Sequence, residues 1–405
     1  MSESRLTRLG FLAASAGLVT GAGSAEAAAS ALERWSAPLP TQSPGLPASQ
    51  HAWSEFLAVD AHGNPVAPRS ARLLFFDVAR RPAPADVRRF EAALRRLERL
   101  YPWRSDGLLF SLGWGPRYFE HVLGAPSPVP APERLSDFEL PAFDEFHACL
   151  HLASDDPRRL VTVERALRID LRATLRWRET RTGFVGNGLP RQHGRVGGLP
   201  PGHPIPAAAP LYMGFKSGFR KAQATEDDVT IPGGPFAGGT TMHVSYMRLR
   251  LDSWYGVLDE RERVARMYSP ETTPADVERL TDDAPSDPGR YAAAAARYGV
   301  VGHSQASARA RRNGRPRIIR RDFDTDDGGV AGLHFVAVQR SIADFVATRK
   351  AMNAADASYL NPAISDTVNN GINEFIFVLK RGNYVVPARA ERSFPLLPGR
   401  AAALA

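Results

Sequence analysis

Residues 72–101, RLLFFDVARRPAPADVRRFEAALRRLERLY, carry the pattern that decides the fold. The run from Arg72 to Val78 is compact and apolar and ends in charge, which is typical of a buried strand. Pro84 then stands in the first turn of a helix whose apolar residues recur at helical spacing while arginines cover the other face. Those apolar residues are Val87, Phe90, Leu94, Leu97 and Tyr101.

The segments that follow complete a β-α-β-β-α-β order. Strands are predicted at residues 107–112, at residues 146–152, where apolar and polar residues alternate, and at residues 171–177. Asp155-Asp156-Pro157 precedes a second helix. This order is that of the split ferredoxin-like unit, an antiparallel sheet with helices on one face.

The second half of the chain repeats this pattern in kind, with extra helices inserted. The predicted strands and helices are at 243–251, 258–268, 274–283, 288–298, 317–323, 333–338, 375–379 and 384–386, with a further helix that begins at Ser341. We therefore predict an α+β protein of two ferredoxin-like domains, antiparallel sheets with peripheral helices, arranged as in the dimeric α+β barrel-like superfamily.

Composition divides the chain into six predicted regions. They are an export signal at 1–27, a Pro- and Ala-rich tether at 28–69, an N-terminal ferredoxin-like domain at 70–184, a Gly- and Pro-rich linker loop at 185–210, a C-terminal ferredoxin-like domain at 211–390, and a tail at 391–405.

The first residues resemble an export signal. A short charged start precedes an apolar run from Leu9 to Val19, and Ala25-Glu26-Ala27 forms a small-residue cleavage site. The run is too short and too rich in glycine to span a bilayer, so we expect no membrane span in the mature chain. Residues 7–12 resemble a twin-arginine signal with Leu9 in place of its second arginine. We expect a periplasmic, extracellular or cell-surface protein, with the twin-arginine route as one option.

Overall composition narrows the possible chemistry. The 405 residues include 51 Lys and Arg against 43 Asp and Glu, a net charge of +8 that favours anionic partners. Cys149 is the single cysteine, which excludes an intramolecular disulfide and a thiolate metal cluster. The sequence contains no H-E-x-x-H, P-loop or G-x-S-x-G motif. We expect no nucleic-acid partner, because an exported chain does not meet cytoplasmic nucleic acid.

Two histidine patterns are candidates for metal chemistry. In residues 299–327, His303 is followed by seven arginines. A single imidazole near several guanidinium groups is typical of a haem protein, because imidazole binds iron and arginine neutralises the haem carboxylates or a bound oxygen species. The alternative is an exposed basic loop that contains one histidine. His147 and His151 lie four apart on a predicted strand and form either a metal-binding pair or two half-exposed polar positions. The seven arginines are Arg309, Arg311, Arg312, Arg315, Arg317, Arg320 and Arg321.

Residues 212–218, YMGFKSG, resemble the GFKDG signature of the dye-decolourising (DyP-type) peroxidases, a haem family of duplicated ferredoxin-like domains. Other segments between residues 105 and 387 are similar to segments of that family in the same order. They are residues 112–119, 175–184, 247–254, 317–321, 332–335 and 373–375.

The resemblance implies a b-type haem with His303 as the axial iron ligand and a peroxidase reaction in which hydrogen peroxide oxidises an organic donor. Arg320 matches the distal arginine, which places positive charge beside a bound peroxide; Arg321 is the alternative if the segment is shifted by one. Gly214, Phe215 and Gly218 belong to the motif and are expected at the cofactor.

Ser217 stands where the family has an aspartate that moves the peroxide proton. A hydroxyl group cannot act as a base near neutral pH. Glu226, Asp227 or Asp228 would replace the aspartate if the loop folds back. The alternatives are a haem-binding carrier, sensor or electron-transfer partner with weak or no peroxidase activity, and a cofactor-free protein whose basic surface binds a polyanion.

Overall fold

The computed structural model of the protein describes residues 45–202 and 204–404. The predicted export signal at 1–27 and the first part of the predicted tether lie outside the described residues. Within the described ranges, no helix combines the length and the apolar character needed to cross a membrane.

The first half is a ferredoxin-like unit, as predicted. Its four antiparallel strands lie in the order β4-β1-β3-β2. Its elements are β1 (Ser70–Val78), α1 (Pro84–Leu100), β2 (Leu109–Trp114), β3 (Ala148–Ser154), α2 (Pro157–Asp170) and β4 (Leu175–Phe184).

The second half repeats the topology, with strand order β9-β5-β8-β6, so the predicted fold class is confirmed. Its elements are β5 (Thr240–Leu249), α3 (Glu260–Met267), α4 (Tyr291–Tyr298), α5 (His303–Ala308), β6 (Ile319–Arg320), β7 (Phe323–Thr325), β8 (Gly332–Gln339), α6 (Ile342–Asn353), β9 (Ile376–Val386) and α7 (Arg400–Leu404).

Shorter elements occupy the connections. The short helices are Ser54–Phe56, Tyr118–Leu123, Leu189–Gln192, Arg220–Ala222, Glu226–Val229, Leu251–Gly256, Pro274–Glu278, Pro288–Arg290, Asp327–Gly329, Ala357–Leu360 and Arg389–Glu391. Ala58–Val59 pairs with Pro65–Val66, and Ala142–Phe143 pairs in parallel with β9.

The two sheets join into one barrel-like structure. Strand β2 meets β9 at Trp114 and Val385, and β7 pairs both with β4, at Asp324 and Phe184, and with β8. Alternation along β1 shows the layers, since Leu74 and Phe76 pack under the helices whereas Leu73 and Phe75 face the barrel interior. The helices therefore cover the outside, and each half has its own helix-covered core.

The predicted tether and tail are wrong where the structure describes them. Trp53 is buried in the core of the first half, and the buried side chain of Gln50 accepts a hydrogen bond from Leu112 N (2.9 Å) and donates one to Pro387 O (2.9 Å). At the other end Phe394 is buried and α7 packs on α1. Apolar and hydrogen-bonding side chains in both segments make these contacts despite the lack of periodicity. The other domain boundaries remain predictions.

Two predicted strand boundaries also differ from the structure. The segment predicted as one strand at 317–323 is divided into β6 and β7, which pair with different parts of β8. The two strands predicted at 375–379 and 384–386 are one strand, β9, with a bulge between Val378 and Lys380. The residues between the two predicted strands include Arg381, which is buried and forms an ion pair with Glu139.

Candidate functional site

A cavity of about 210 Å³ lies in the second half, between the outer face of the sheet and the helices that cover it. Four of the predicted site residues line it together: His303, Arg320, Ser217 and Phe215. Gly214 and Gly218 are not among its lining residues. The structure therefore brings together side chains that are nearly a hundred residues apart in sequence.

His303 is the first residue of α5 and reaches the cavity because Gly302 allows a close approach of two backbones. A Cβ atom on residue 302 would lie 1.9 Å from Tyr268 O. The Nδ1 atom of His303 is buried and has no hydrogen-bond partner among the described residues. Burial lowers the pKa of His303 to about 3, with smaller contributions from the positive charges of Arg320 and Arg349. The ring is therefore neutral at neutral pH, as a metal ligand must be.

Arg320 reaches the cavity from strand β6. Gln223 holds its backbone on both sides, accepting from Arg320 N (2.8 Å) and donating to Arg320 O (3.2 Å). Its Nε atom is buried without a hydrogen-bond partner among the described residues. Arg321 does not line the cavity, and its guanidinium lies 3.8 Å from the Trp53 ring instead. Of the two arginines, the structure places Arg320 at the site.

The loop at residues 212–218 is held in place by two aromatic side chains. Trp254 Nε1 donates to Met213 O (3.0 Å), and the Tyr255 hydroxyl donates to Tyr212 O (2.7 Å). Gly214 and Gly218 have φ of 90° and 80°, a backbone conformation that glycine adopts readily. A Cβ on residue 218 would lie 3.8 Å from the Nε2 atom of the same Gln223 that holds Arg320. The glycines thus shape the turn that carries Ser217, and this turn passes close to the Gln223 side chain that holds Arg320.

The predicted replacement of the missing aspartate by Glu226, Asp227 or Asp228 is wrong. Glu226 accepts hydrogen bonds from Trp53 N (2.6 Å) and Ser54 N (2.8 Å), and Asp228 pairs with Arg315 (2.8 Å). None of the three carboxyl groups lines the cavity. The short helix Glu226–Val229 uses these side chains for its own cap and for neighbouring contacts.

Two other carboxyl groups, Asp322 and Asp324, line the cavity and were not predicted. Asp324 Oδ2 accepts from Tyr212 N (2.6 Å), whereas Oδ1 is buried without a partner in the described part of the chain. Burial raises the pKa of Asp324 well above its usual value. The only sequence signal was their position directly after the arginine run.

Apart from Arg321, which lies against Trp53, the arginines of residues 309–321 divide into two groups. Arg309, Arg312 and Arg315 are exposed outside the cavity and pair with acidic residues, so the basic-loop interpretation describes them. Arg311 and Arg317 line the cavity beside Arg320.

The pair His147 and His151 does not form a metal site. His147 Nδ1 accepts a hydrogen bond from Val78 N (3.0 Å), and His151 stacks on Phe323 with ring centroids 5.9 Å apart. Across residues 45–202 and 204–404, no group of three or more His, Cys, Asp or Glu side chains is placed to hold a metal ion.

The lining residues fit haem. A neutral imidazole with a free buried nitrogen suits an axial ligand, and guanidinium groups suit the carboxylates of haem or a bound oxygen species. The remaining walls are largely apolar, as the faces of a porphyrin require; they include Met213, Phe215, Met247, Leu333 and Phe335.

Solved structures similar to this chain include several DyP-type peroxidases. The enzyme from Streptomyces coelicolor has a TM-score of 0.57 and 20% identity over 85% of this chain and 96% of that chain. The enzyme from Cellulomonas bogoriensis has a TM-score of 0.57 and 19% identity over 83% and 96%. A variant of DypB from Rhodococcus jostii RHA1, solved in complex with haem, has a TM-score of 0.57 and 14% identity over 84% and 97%.

These similarities confirm the resemblance to DyP-type peroxidases at the level of the fold. No curated protein matches the chain in sequence. A family model described as a family of unknown function, DUF7405, matches residues 68–388. Because this match covers most of the chain, the protein belongs to the DUF7405 family, and its fold is that of the DyP-type haem peroxidases.

Proposed function

We propose that this protein is an exported haem-dependent peroxidase of the DyP type, which uses hydrogen peroxide to oxidise an organic donor. The observation that carries the proposal is that His303 and Arg320, each with a buried nitrogen that lacks a partner, line one largely apolar cavity. Residues 1–27 support export, and they lie outside the described residues. The cofactor in this proposal is a b-type haem.

When bound, haem supplies the redox chemistry, and the side chains position and stabilise the reactants. His303 would hold the haem iron, because its ring is neutral and lines the cavity. Arg320 would direct its Nε–H group and its fixed positive charge into the cavity, where they would stabilise negative charge on an oxygen species. Gln223 would keep Arg320 in this position through its two backbone hydrogen bonds.

Ser217 favours a second candidate function, a haem-binding carrier, sensor or electron-transfer partner with weak or no peroxidase activity. The Ser217 hydroxyl can hold a water molecule or donate a hydrogen bond, but it cannot take a proton from peroxide near neutral pH. Loss of such a group commonly lowers a rate by about two to four orders of magnitude. The two candidates share the same haem site and differ in the rate of reaction with peroxide.

The test of the haem site is the visible spectrum of the purified chain with haem supplied. We expect a Soret band in the wild type that is lost or strongly shifted in His303→Ala. His121→Ala, which changes an exposed histidine of the first half, is the matched control and should leave the band unchanged. Absence of a Soret band in the wild type would exclude both candidate functions. A band with no peroxide turnover would leave the second candidate.

A further inference from the structure

Two more guanidinium groups, those of Arg349 and Arg381, lie at the wall of the same cavity. Arg349 is on helix α6 and Arg381 is on strand β9, so the helices and the sheet each contribute one. Only 6% and 1% of their side-chain surfaces are exposed. Both groups are therefore charged side chains held almost entirely inside the protein.

One carboxylate, that of Glu139, serves both arginines. Arg381 Nη2 donates to Glu139 Oε1 (2.9 Å) and Oε2 (2.8 Å), and Arg349 Nη2 lies 3.5 Å from Oε2. Burial acts to raise the pKa of Glu139, but the charges of Arg381 and Arg349, together with hydrogen bonds from Leu135 N and Arg381, more than offset this, so its pKa is lowered. Glu139 is therefore ionised at neutral pH, and the three side chains together retain one excess positive charge.

Several guanidinium nitrogens of this cluster lack hydrogen bonds. In the described residues, Arg349 Nη2 and the Nε and Nη1 atoms of Arg381 have no hydrogen-bond partner. Burial lowers the pKa of Arg349 to about 10, which leaves it a cation at neutral pH. A buried cation without a full set of partners is destabilising, so the cluster is suited to receive an anion.

Arg317 differs from these two arginines in its exposure. Arg317 lines the same cavity, but its guanidinium pairs with Asp344 (3.1 Å) and donates to Ala310 O. Arg317 shares Asp344 with Arg312, but 24% and 57% of these two side chains are exposed, so water can complete their hydrogen bonds. Arg349 and Arg381 share Glu139 in the interior and leave buried donors without partners.

We propose that Arg349 and Arg381 bind a carboxylate group of the ligand that occupies the cavity. Two guanidiniums with free N–H groups match the two oxygens of a carboxylate and neutralise the excess charge. The inference rests on the proposed function, in which the carboxylate is a propionate of haem. An acidic organic donor is the other source of the same group.

The experiment compares haem with its dimethyl ester, in which both carboxylates are esterified. Soret titrations give the dissociation constant of each porphyrin for the wild type, Arg381→Gln, Glu139→Gln and the exposed control Arg279→Gln. We expect the wild type to prefer haem by at least about tenfold, as charged hydrogen bonds do. The preference should disappear in Arg381→Gln, increase in Glu139→Gln, which leaves both cations without their carboxylate, and stay unchanged in Arg279→Gln.

The outcomes separate the carboxylate site from the proposed function. If both porphyrins bind the wild type equally, calorimetric titrations compare the affinity of the protein for benzoate with its affinity for benzamide. A preference for benzoate that is lost in Arg381→Gln assigns the site to an acidic donor. If the two porphyrins bind equally and benzoate binding does not depend on Arg381, the proposed carboxylate site is wrong. The haem proposal is unaffected by that result. If neither porphyrin binds, the haem proposal fails, and the calorimetric comparison of benzoate with benzamide decides the carboxylate site alone. Should Arg381→Gln not fold, Arg349→Gln and Glu139→Gln make the same comparison with opposite expected signs.

Discussion

Asp324 is a carboxyl group that the fold buries without an ion-pair partner among the described residues, and this has a consequence for stability. Its pKa is raised in the folded protein, whereas in the unfolded chain it is near the ordinary value of about 3.9. Between that value and the folded pKa, unfolding releases a proton. The free energy of unfolding therefore decreases as pH rises, by up to about 1.4 kcal/mol per pH unit.

Asp324→Asn should remove this slope, because asparagine cannot ionise yet can still accept the hydrogen bond from Tyr212 N. Urea unfolding of both proteins at a series of pH values from about 4 to neutral measures the difference in free energy of unfolding. Asp137→Asn, at a position with 95% of its side chain exposed, is the control. Equal slopes in the wild type and Asp324→Asn would show that Asp324 stays ionised when folded.

Ser217→Asp should place a proton acceptor in the cavity that Arg320 also lines. We expect the rate of reaction of the haem-loaded protein with hydrogen peroxide to increase by about 10²-fold or more, since a positioned general base contributes about 10²–10⁴. Stopped-flow measurement of the Soret change gives this rate. Ser217→Asn has nearly the shape of aspartate without its charge and should not accelerate the reaction. An equal increase in both variants, or in neither, would mean that residue 217 does not face the bound peroxide.

Two of the four predicted residues at the cavity, His303 and Arg320, could be predicted because the family resemblance assigns each a position and a chemical role. Asp324 and Arg381 could not be predicted in this way. Their importance comes from partners, or missing partners, that are supplied by distant segments: Tyr212 for Asp324 and Glu139 for Arg381. A sequence pattern reports residue type and spacing, whereas burial of an unpaired charge depends on tertiary packing.

Helix α5 holds its position through the glycine that precedes it. A Cβ on residue 302 would overlap the backbone of Tyr268, so Gly302→Ala must displace either α5 or the end of α3. We expect a loss of about 1–3 kcal/mol in the free energy of unfolding and weaker haem binding, because His303 is the next residue. Gly233→Ala, where a Cβ would meet nothing within 4 Å, is the control and should change neither quantity. Thermal unfolding and Soret titration measure them.

If Gly302→Ala binds haem as tightly as the wild type, α5 is free to shift without moving the imidazole. That result would contradict the close backbone packing on which the placement of His303 depends.

At the scale of helices and strands, the sequence predicted most elements and missed some of their boundaries. The helix α1 and strand β1 were clear because apolar periodicity is local information. The division of residues 317–323 into β6 and β7 depends on two separate pairings with β8, and local periodicity does not contain that pairing. The packing of residues 45–69 likewise depends on single buried side chains, such as Trp53, in a segment without a period.

In the whole molecule, the two halves meet along seams of short strand pairing, and residues of both halves share one hydrophobic core. Ala142 and Phe143 pair with Lys380 and Arg381 of β9. One register pair, Trp114 with Val385, joins β2 to β9, and one pair, Phe184 with Asp324, joins β4 to β7. Buried polar contacts add to these seams inside the barrel. Arg181 forms hydrogen bonds with both oxygens of Asp144 (2.8 and 2.6 Å), and Asp144 N donates to Arg381 O (2.7 Å) on the second half.

Asp144→Asn should destabilise the first half directly, because Arg181 and Asp144 both belong to it, and the second half through the hydrogen bond from residue 144 N to Arg381 O. Asparagine keeps the shape of aspartate but removes the negative charge opposite Arg181, whose side chain is only 2% exposed. The carboxylate of Glu179 remains and still balances part of the positive charge of Arg181. We expect the free energy of unfolding to decrease by about 3 kcal/mol, the lower part of the range for breaking a buried pair. Tryptophan fluorescence and far-UV circular dichroism should still report one coincident transition. Glu145→Gln, which breaks a neighbouring exposed ion pair with Arg117, is the control and should decrease the free energy of unfolding by no more than about 1 kcal/mol. Two separated transitions in Asp144→Asn would instead mean that each ferredoxin-like half is stable alone, since the seams would then contribute little beyond the two cores.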